Sequence, residues 1–84
     1  IESIMCVKNP IVMDYGSGIG FYGFEILEQF QNSRVTFVDI SATNLQIIHR
    51  LSELKNFNKR FKIVKVKDPK AKDLHFEEKF DLIL

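Results

Sequence analysis

All four glycines of the chain fall at positions 16, 18, 20 and 23, directly behind the apolar run Ile11-Val12-Met13 and the acid Asp14. Glycine used for general looseness is scattered along a chain. A cluster this tight marks one short stretch where bare backbone must turn sharply and approach another group closely. The residues that follow switch to a helical period. Gly23, Ile26, Leu27 and Phe30 recur at i, i+3, i+4 and i+7, and Glu25, Glu28 and Gln29 lie on the other side. The opening of the chain therefore reads as strand, glycine turn and amphipathic helix.

The alternation continues. Residues 35–39 are β-branched and aromatic and end in a second acid, Asp39. Ser41 is suited to cap a helix that carries Ile47, Ile48, Leu51 and Leu54 and closes at Lys55 and Asn56. Residues 61–67 read as a third strand leading to Asp68, residues 69–79 as a polar connection, and residues 80–84 as a fourth strand. Residues 1–8 read as the last turns of a helix stopped by Pro10. Strands alternating with helices imply an α/β fold with a mostly parallel sheet and right-handed crossovers. Eighty-four residues make one domain at most. The chain opens on Ile and ends inside an apolar strand, so residues 1–84 are expected to be the N-terminal part of a larger domain that continues beyond Leu84.

Composition narrows the function classes. With 45% hydrophobic and 27% charged residues and a net charge of +1, the chain is neither collagen-like nor disordered. No apolar run approaches the roughly 20 residues that cross a bilayer, and no basic-then-apolar leader is seen, so a cytoplasmic protein without a membrane partner is expected. The lone Cys6 can form neither an intrachain disulfide nor a zinc site and reads as a small buried hydrophobe. His49 lies on a polar stretch of the second helix. His75 has no neighbour at metal-ligand spacing, and no metal is expected. Tyr15, Phe21 and Tyr22 flank the glycines, and Phe21 is expected to pack the first helix onto the sheet.

Two registers fit the glycine stretch. Residues 14–20 read D-x-G-x-G-x-G, and residues 18–23 read G-x-G-x-x-G, the pattern of dinucleotide-binding turns. A carboxylate at the rim of a pyrophosphate loop is electrostatically unfavourable, and the second register needs a strand that runs through Asp14 and Gly16. The first register suits a ligand with a cationic group beside a carboxylate, such as the amino acid end of S-adenosylmethionine.

With "VMDYGSGIG" as the glycine loop, "VTFVDIS" as the second strand with its terminal acid, Asp68 after the third strand and "FDLIL" as the fourth, the whole chain resembles the class I (Rossmann-like) S-adenosylmethionine-dependent methyltransferases. The resemblance implies a three-layer α/β/α domain, of which these would be the first four strands, and S-adenosylmethionine as cofactor. It implies that Asp14, Gly16, Ser17, Gly18 and Gly20 serve the methionine end. Asp39, 19 residues beyond Gly20, would hold the ribose, Ile40 would pack on the adenine, and Asp68 would accept from the adenine amino group. Pro69 departs from many relatives, because it has no N–H to offer the adenine. Catalytic residues and the methyl acceptor are expected beyond Leu84. Two alternatives stay open: an NAD(P)- or FAD-binding oxidoreductase fragment and a non-catalytic Rossmann scaffold. Residues 55–72 hold eight basic residues against one acidic one. Because the third strand of such a sheet is an edge, Lys62, Lys65 and Lys67 are expected to discourage sheet-to-sheet pairing; contact with nucleic acid is the less favoured reading.

Overall fold

In the computed structural model of the protein, residues 8–57, 59–67 and 79–84 are described. The elements follow in the order β1 (Ile11–Tyr15), α1 (Phe21–Gln29), β2 (Arg34–Asp39), α2 (Ala42–Leu54), β3 (Phe61–Lys65) and β4 (Leu82–Ile83). Every strand pair is parallel, and the sheet order is β3-β2-β1-β4. The path steps from β1 to β2 to β3 in one direction, then adds β4 on the far side of β1. Ligands of open α/β sheets bind outside the carboxyl ends of the strands at such a reversal. The readings for residues 1–7, including Cys6, and for Asp68, Pro69 and His75 lie outside the described residues.

The two-residue period of the strands sorts side chains onto two faces. Val12 of β1, Val35 and Phe37 of β2, and Phe61 and Ile63 of β3 share a core with Phe24, Ile26 and Leu27 of α1 and Leu45 and Ile48 of α2. Met13, Val38 and Val66 form a second cluster on the opposite face with Tyr15, Val64 and Phe80. Both helices therefore pack on one face. Two successive right-handed crossovers advancing in the same direction require this. Among the described residues the sheet carries one helical layer, so the third layer implied by the resemblance is not among them.

Several expected boundaries and contacts shift. Helix α1 buries Phe24 in addition to Gly23, Ile26 and Leu27, whereas Phe21 is 73% exposed and does not pack. In α2 the buried stripe is Leu45, Ile48 and Ser52; Ile47 is 40% and Leu54 72% exposed, so these two point outward. Strand β3 ends at Lys65, which puts Lys67 beyond it, and the fourth strand pairs only at Leu82 and Ile83.

The helix ends are closed by specific donors and acceptors. Ser41 accepts from the Asn44 N–H at 3.2 Å and caps α2 as expected. At the other end Asn56 takes φ 55°, its N–H reaches the Glu53 carbonyl, and the Phe57 N–H reaches the Ser52 carbonyl. That is a Schellman closure with Asn in the left-handed position. At the end of α1, the Ser33 hydroxyl donates toward the Ile26 and Phe30 carbonyls, at 3.2 and 2.7 Å. The Arg60 guanidinium donates to the carbonyls of Leu27, Phe30 and Ser33, each at 3.1 Å. Arg60→Lys loses the planar fork that reaches three carbonyls at once. It should destabilise the protein by about 1–3 kcal/mol in urea unfolding.

Gly23 explains how closely α1 sits on the sheet. A Cβ there would overlap the Phe37 ring and come within 3.1 Å of Asp14 Oδ2. Alanine in a helix is ordinarily favoured over glycine by about 1 kcal/mol. Gly23→Ala should nevertheless destabilise, by about 1–3 kcal/mol, because the ring and the helix must part. A urea midpoint equal to or above that of the unmutated protein would refute this packing role.

Candidate functional site

The loop between β1 and α1 is held by its own amides. Gly16 and Ser17 N–H groups donate to the Val38 carbonyl at 2.8 and 3.1 Å, and the Ser17 hydroxyl approaches the same oxygen at 3.5 Å. The Gly18 N–H donates to Asp39 Oδ2 at 2.9 Å, and the Gly20 N–H to the Ser17 carbonyl at 2.8 Å. Three successive amides thus point at the carboxyl end of β2. Gly16 and Gly18 adopt φ of 68° and 58°, and a Cβ on either would meet nothing within 4 Å. What demands glycine at these two positions is the left-handed backbone. The open space beside them lets a ligand lie directly against the main chain.

Asp39 ends β2 and is 9% exposed. Its Oδ1 accepts from the backbone N–H groups of Ile40 at 2.7 Å and Ser41 at 3.3 Å. Its Oδ2 accepts from the Gly18 N–H and from Asn44 Nδ2 at 3.3 Å. Burial pushes this carboxyl up, but the combined donors Ser41, Asn44, Ile40 and Gly18 outweigh it and hold Asp39 below the ordinary aspartate range.

Asp14 behaves differently. It was expected at the rim of the loop, but it is only 4% exposed and lies beneath α1, where Oδ2 accepts from the Gly23 N–H at 3.3 Å. Helix α1 begins behind Gly20, which has no side chain to cap it. Asp14 supplies the missing acceptor from the sheet, at the third helical N–H. Burial pushes its carboxyl up; the Gly23 N–H opposes this, and the neighbouring Asp39 charge adds to the rise.

Ile40 is 47% exposed and borders a shallow cleft with Tyr15, Gly16, Val38, Asp39 and Val66. The cleft holds only about 40 Å³, far less than the ~300–1,000 Å³ of ligand pockets in general. The described residues thus form one wall of a site. Larger hollows beside Phe21 and Phe24 on α1, and between α2 and β3 at His49 and Phe61, contain neither acid and no loop glycine. Gly16, Ser17, Gly18, Asp39 and Ile40 are brought together at the ends of β1 and β2, with Asp14 and Gly20 beneath. The sequence reading missed Asn44. Its signal is modest: a polar side chain three residues behind a helix-capping serine.

A parallel sheet with a glycine turn at its first crossover and an acid closing the next strand defines a Rossmann-like α/β domain. The model of the methyltransferase domain family matches residues 7–84, and the chain belongs to that family. Among solved structures it is similar to coclaurine N-methyltransferase bound to N-methylheliamine and SAH, with 22% identity and a TM-score of 0.80 over 98% of this chain and 23% of that one. It is also similar to PKMT2 from Rickettsia typhi, with 25% identity and a TM-score of 0.77 over 90% of this chain and 14% of that one. YcgJ from Bacillus subtilis aligns with 19% identity and a TM-score of 0.75 over 98% of this chain and 33% of that one. The chain thus spans a third or less of the length of these structures. No curated protein sequence matches it.

The two acids should leave opposite marks on stability. An unfolded aspartate titrates near about pH 3.9. Asp39, lowered in the fold, contributes stability that is present above that value and is lost as pH falls through its folded pKa. Asp14, raised in the fold, costs stability as pH climbs through its folded pKa. In urea unfolding at pH 7, Asp39→Asn should cost about 1–3 kcal/mol. Asp14→Asn keeps an acceptor for the Gly23 N–H. It should equal or exceed the unmutated protein at pH 7 and lose any advantage as pH falls through the raised folded pKa of Asp14 to the unfolded value of about 3.9.

Proposed function

We propose that the chain is the cofactor-binding part of an S-adenosylmethionine-dependent methyltransferase. The observation that carries this reading is the direction of the loop amides. Gly16, Ser17 and Gly18 turn their N–H groups toward Val38 and Asp39, and Gly20 donates back to Ser17. A pyrophosphate would find few free donors on this loop, with the Asp39 carboxylate beside it and Asp14 below. A ligand offering hydroxyl donors and a cationic group suits the same surroundings. The residues present therefore fit S-adenosylmethionine, which supplies an activated methyl group on a sulfonium.

In this reading the bare backbone of Gly16 and Gly18, with Ser17 between them and Gly20 closing the turn, receives the methionine end. Asp39 takes the ribose hydroxyls, and the exposed Ile40 offers an apolar surface to the adenine. Asp68 keeps the adenine-amino role that the resemblance implies. Asp14 acts from below, fixing α1 and placing negative charge under the loop. Coclaurine N-methyltransferase and PKMT2 were solved with SAH or AdoHcy, the demethylated form of that cofactor, which supports the reading. The methyl acceptor is left unassigned.

Calorimetry on the whole protein tests this. S-adenosylhomocysteine should bind, and Asp39→Ala should weaken it by about 1–3 kcal/mol, the range for hydrogen bonds to a charged group. Binding of NADH without any response to S-adenosylhomocysteine would overturn the proposal in favour of an oxidoreductase, and binding of neither would leave a scaffold module.

A further inference from the structure

An ionised carboxylate offers about four acceptor positions, two on each oxygen. In Asp39 all four are filled by the protein itself: Ile40 N–H and Ser41 N–H on Oδ1, Gly18 N–H and Asn44 Nδ2 on Oδ2. A ribose brings two adjacent hydroxyl donors, so it cannot simply add to this set. Each oxygen carries one short and one long bond. On Oδ1 these are Ile40 at 2.7 Å and Ser41 at 3.3 Å; on Oδ2 they are Gly18 at 2.9 Å and Asn44 at 3.3 Å. The long bond on each oxygen is the weaker one and the first to yield.

On Oδ2 the weaker donor is a side-chain amide in the first turn of α2, half-buried and carried on rotatable χ1 and χ2 bonds. Its backbone N–H stays on the Ser41 hydroxyl and does not depend on where the amide goes. We infer that Asn44 is a positioning residue whose side-chain amide holds the place on Asp39 Oδ2 that a ribose hydroxyl takes on binding. The inference rests on the proposed S-adenosylmethionine site. It adds that ribose binding is an exchange of donors at Asp39 and that Asn44 sets the cost of that exchange. Loss of the amide leaves a water on Oδ2, which a hydroxyl displaces more easily than an intramolecular donor.

The test is calorimetry with S-adenosylhomocysteine and with its analogue lacking both ribose hydroxyls, on the unmutated protein and on Asn44→Ala. Alanine is favourable within a helix, and thermal unfolding of the variant verifies that it is folded. S-adenosylhomocysteine should bind the variant about three-fold more tightly, the low end of what one hydrogen bond is worth. The dihydroxyl-free analogue should bind both proteins equally. Weaker or unchanged binding of S-adenosylhomocysteine to the variant would overturn the inference, as would an equal gain for both ligands, while leaving the cofactor site in place. Failure of the unmutated protein to bind S-adenosylhomocysteine at all would overturn the site and the inference together.

Discussion

The close approach of α1 to the sheet at Gly23 is the constraint on which the other contacts depend. It lets the Phe37 ring reach beneath the helix, and it brings the Gly23 N–H within 3.3 Å of Asp14. From Phe37 the packing runs on through rings: Phe24 at 5.3 Å, then Phe57 stacked on Phe24 at 5.9 Å, then the Arg60 guanidinium 5.7 Å above Phe57. Arg60 in turn holds the carbonyls of Leu27 and Phe30 at the far end of α1. The circuit begins at the first turn of the helix and closes at its last. Each aromatic contact contributes about 0.5–1.5 kcal/mol beyond the area it buries. A helix fixed at both ends in this way holds the preceding loop in one place, so the open backbone of Gly16 and Gly18 is a prepared surface.

The two acids divide the work by depth. Asp14 is sunk under the helix, where loss of water disfavours its charge, and it caps α1 for want of a side chain at Gly20. Asp39, at the end of the neighbouring strand, has enough N–H donors to stay ionised despite its burial. Val38 and Asp39 between them absorb the amides of Gly16, Ser17 and Gly18. The loop therefore presents carboxylate and bare Cα surface where dinucleotide loops present free N–H groups. Glycine content alone does not distinguish the two kinds of site. The direction of the amides does, and β2 sets that direction.

Much of this was legible because local chemistry and the fold agree. Strand, glycine turn and helix succeed one another with the right periods, and Asp39 sits at the end of β2 where the spacing puts it. Gly23 was readable as a packing residue because it falls on the apolar stripe of α1. The missed features depend on contacts between residues far apart in sequence. Arg60 reads as one more member of a basic run until β3 places it beside the end of α1, 33 residues from Leu27 in sequence. Ser33 reads as a break in the helical pattern, yet its hydroxyl is fully buried against two α1 carbonyls. In α2 the pair Ile47 and Ile48 left two possible faces. The tertiary partner chose the one through Leu45, Ile48 and Ser52, a serine that hydrophobic periodicity cannot count.

The fate of the basic run follows from the same geometry. Charge summed along a sequence is not charge at a surface, because the fold removes members from the sum. Arg60 is spent on α1, and Lys55 reaches across to Glu28 at 2.8 Å between two exposed side chains. Such an exposed pair is worth little stability, but it leaves that much less unpaired positive charge for a polyanion. Lys62 and Lys65 are exposed on β3, the outer strand of the described sheet, and the strand period puts them on opposite faces. An edge strand with Phe61, Ile63 and Val64 half-exposed would otherwise be an open template for another β-strand. Lysines at 62 and 65, one on each face of the strand, make such pairing costly without disturbing the β2–β3 ladder.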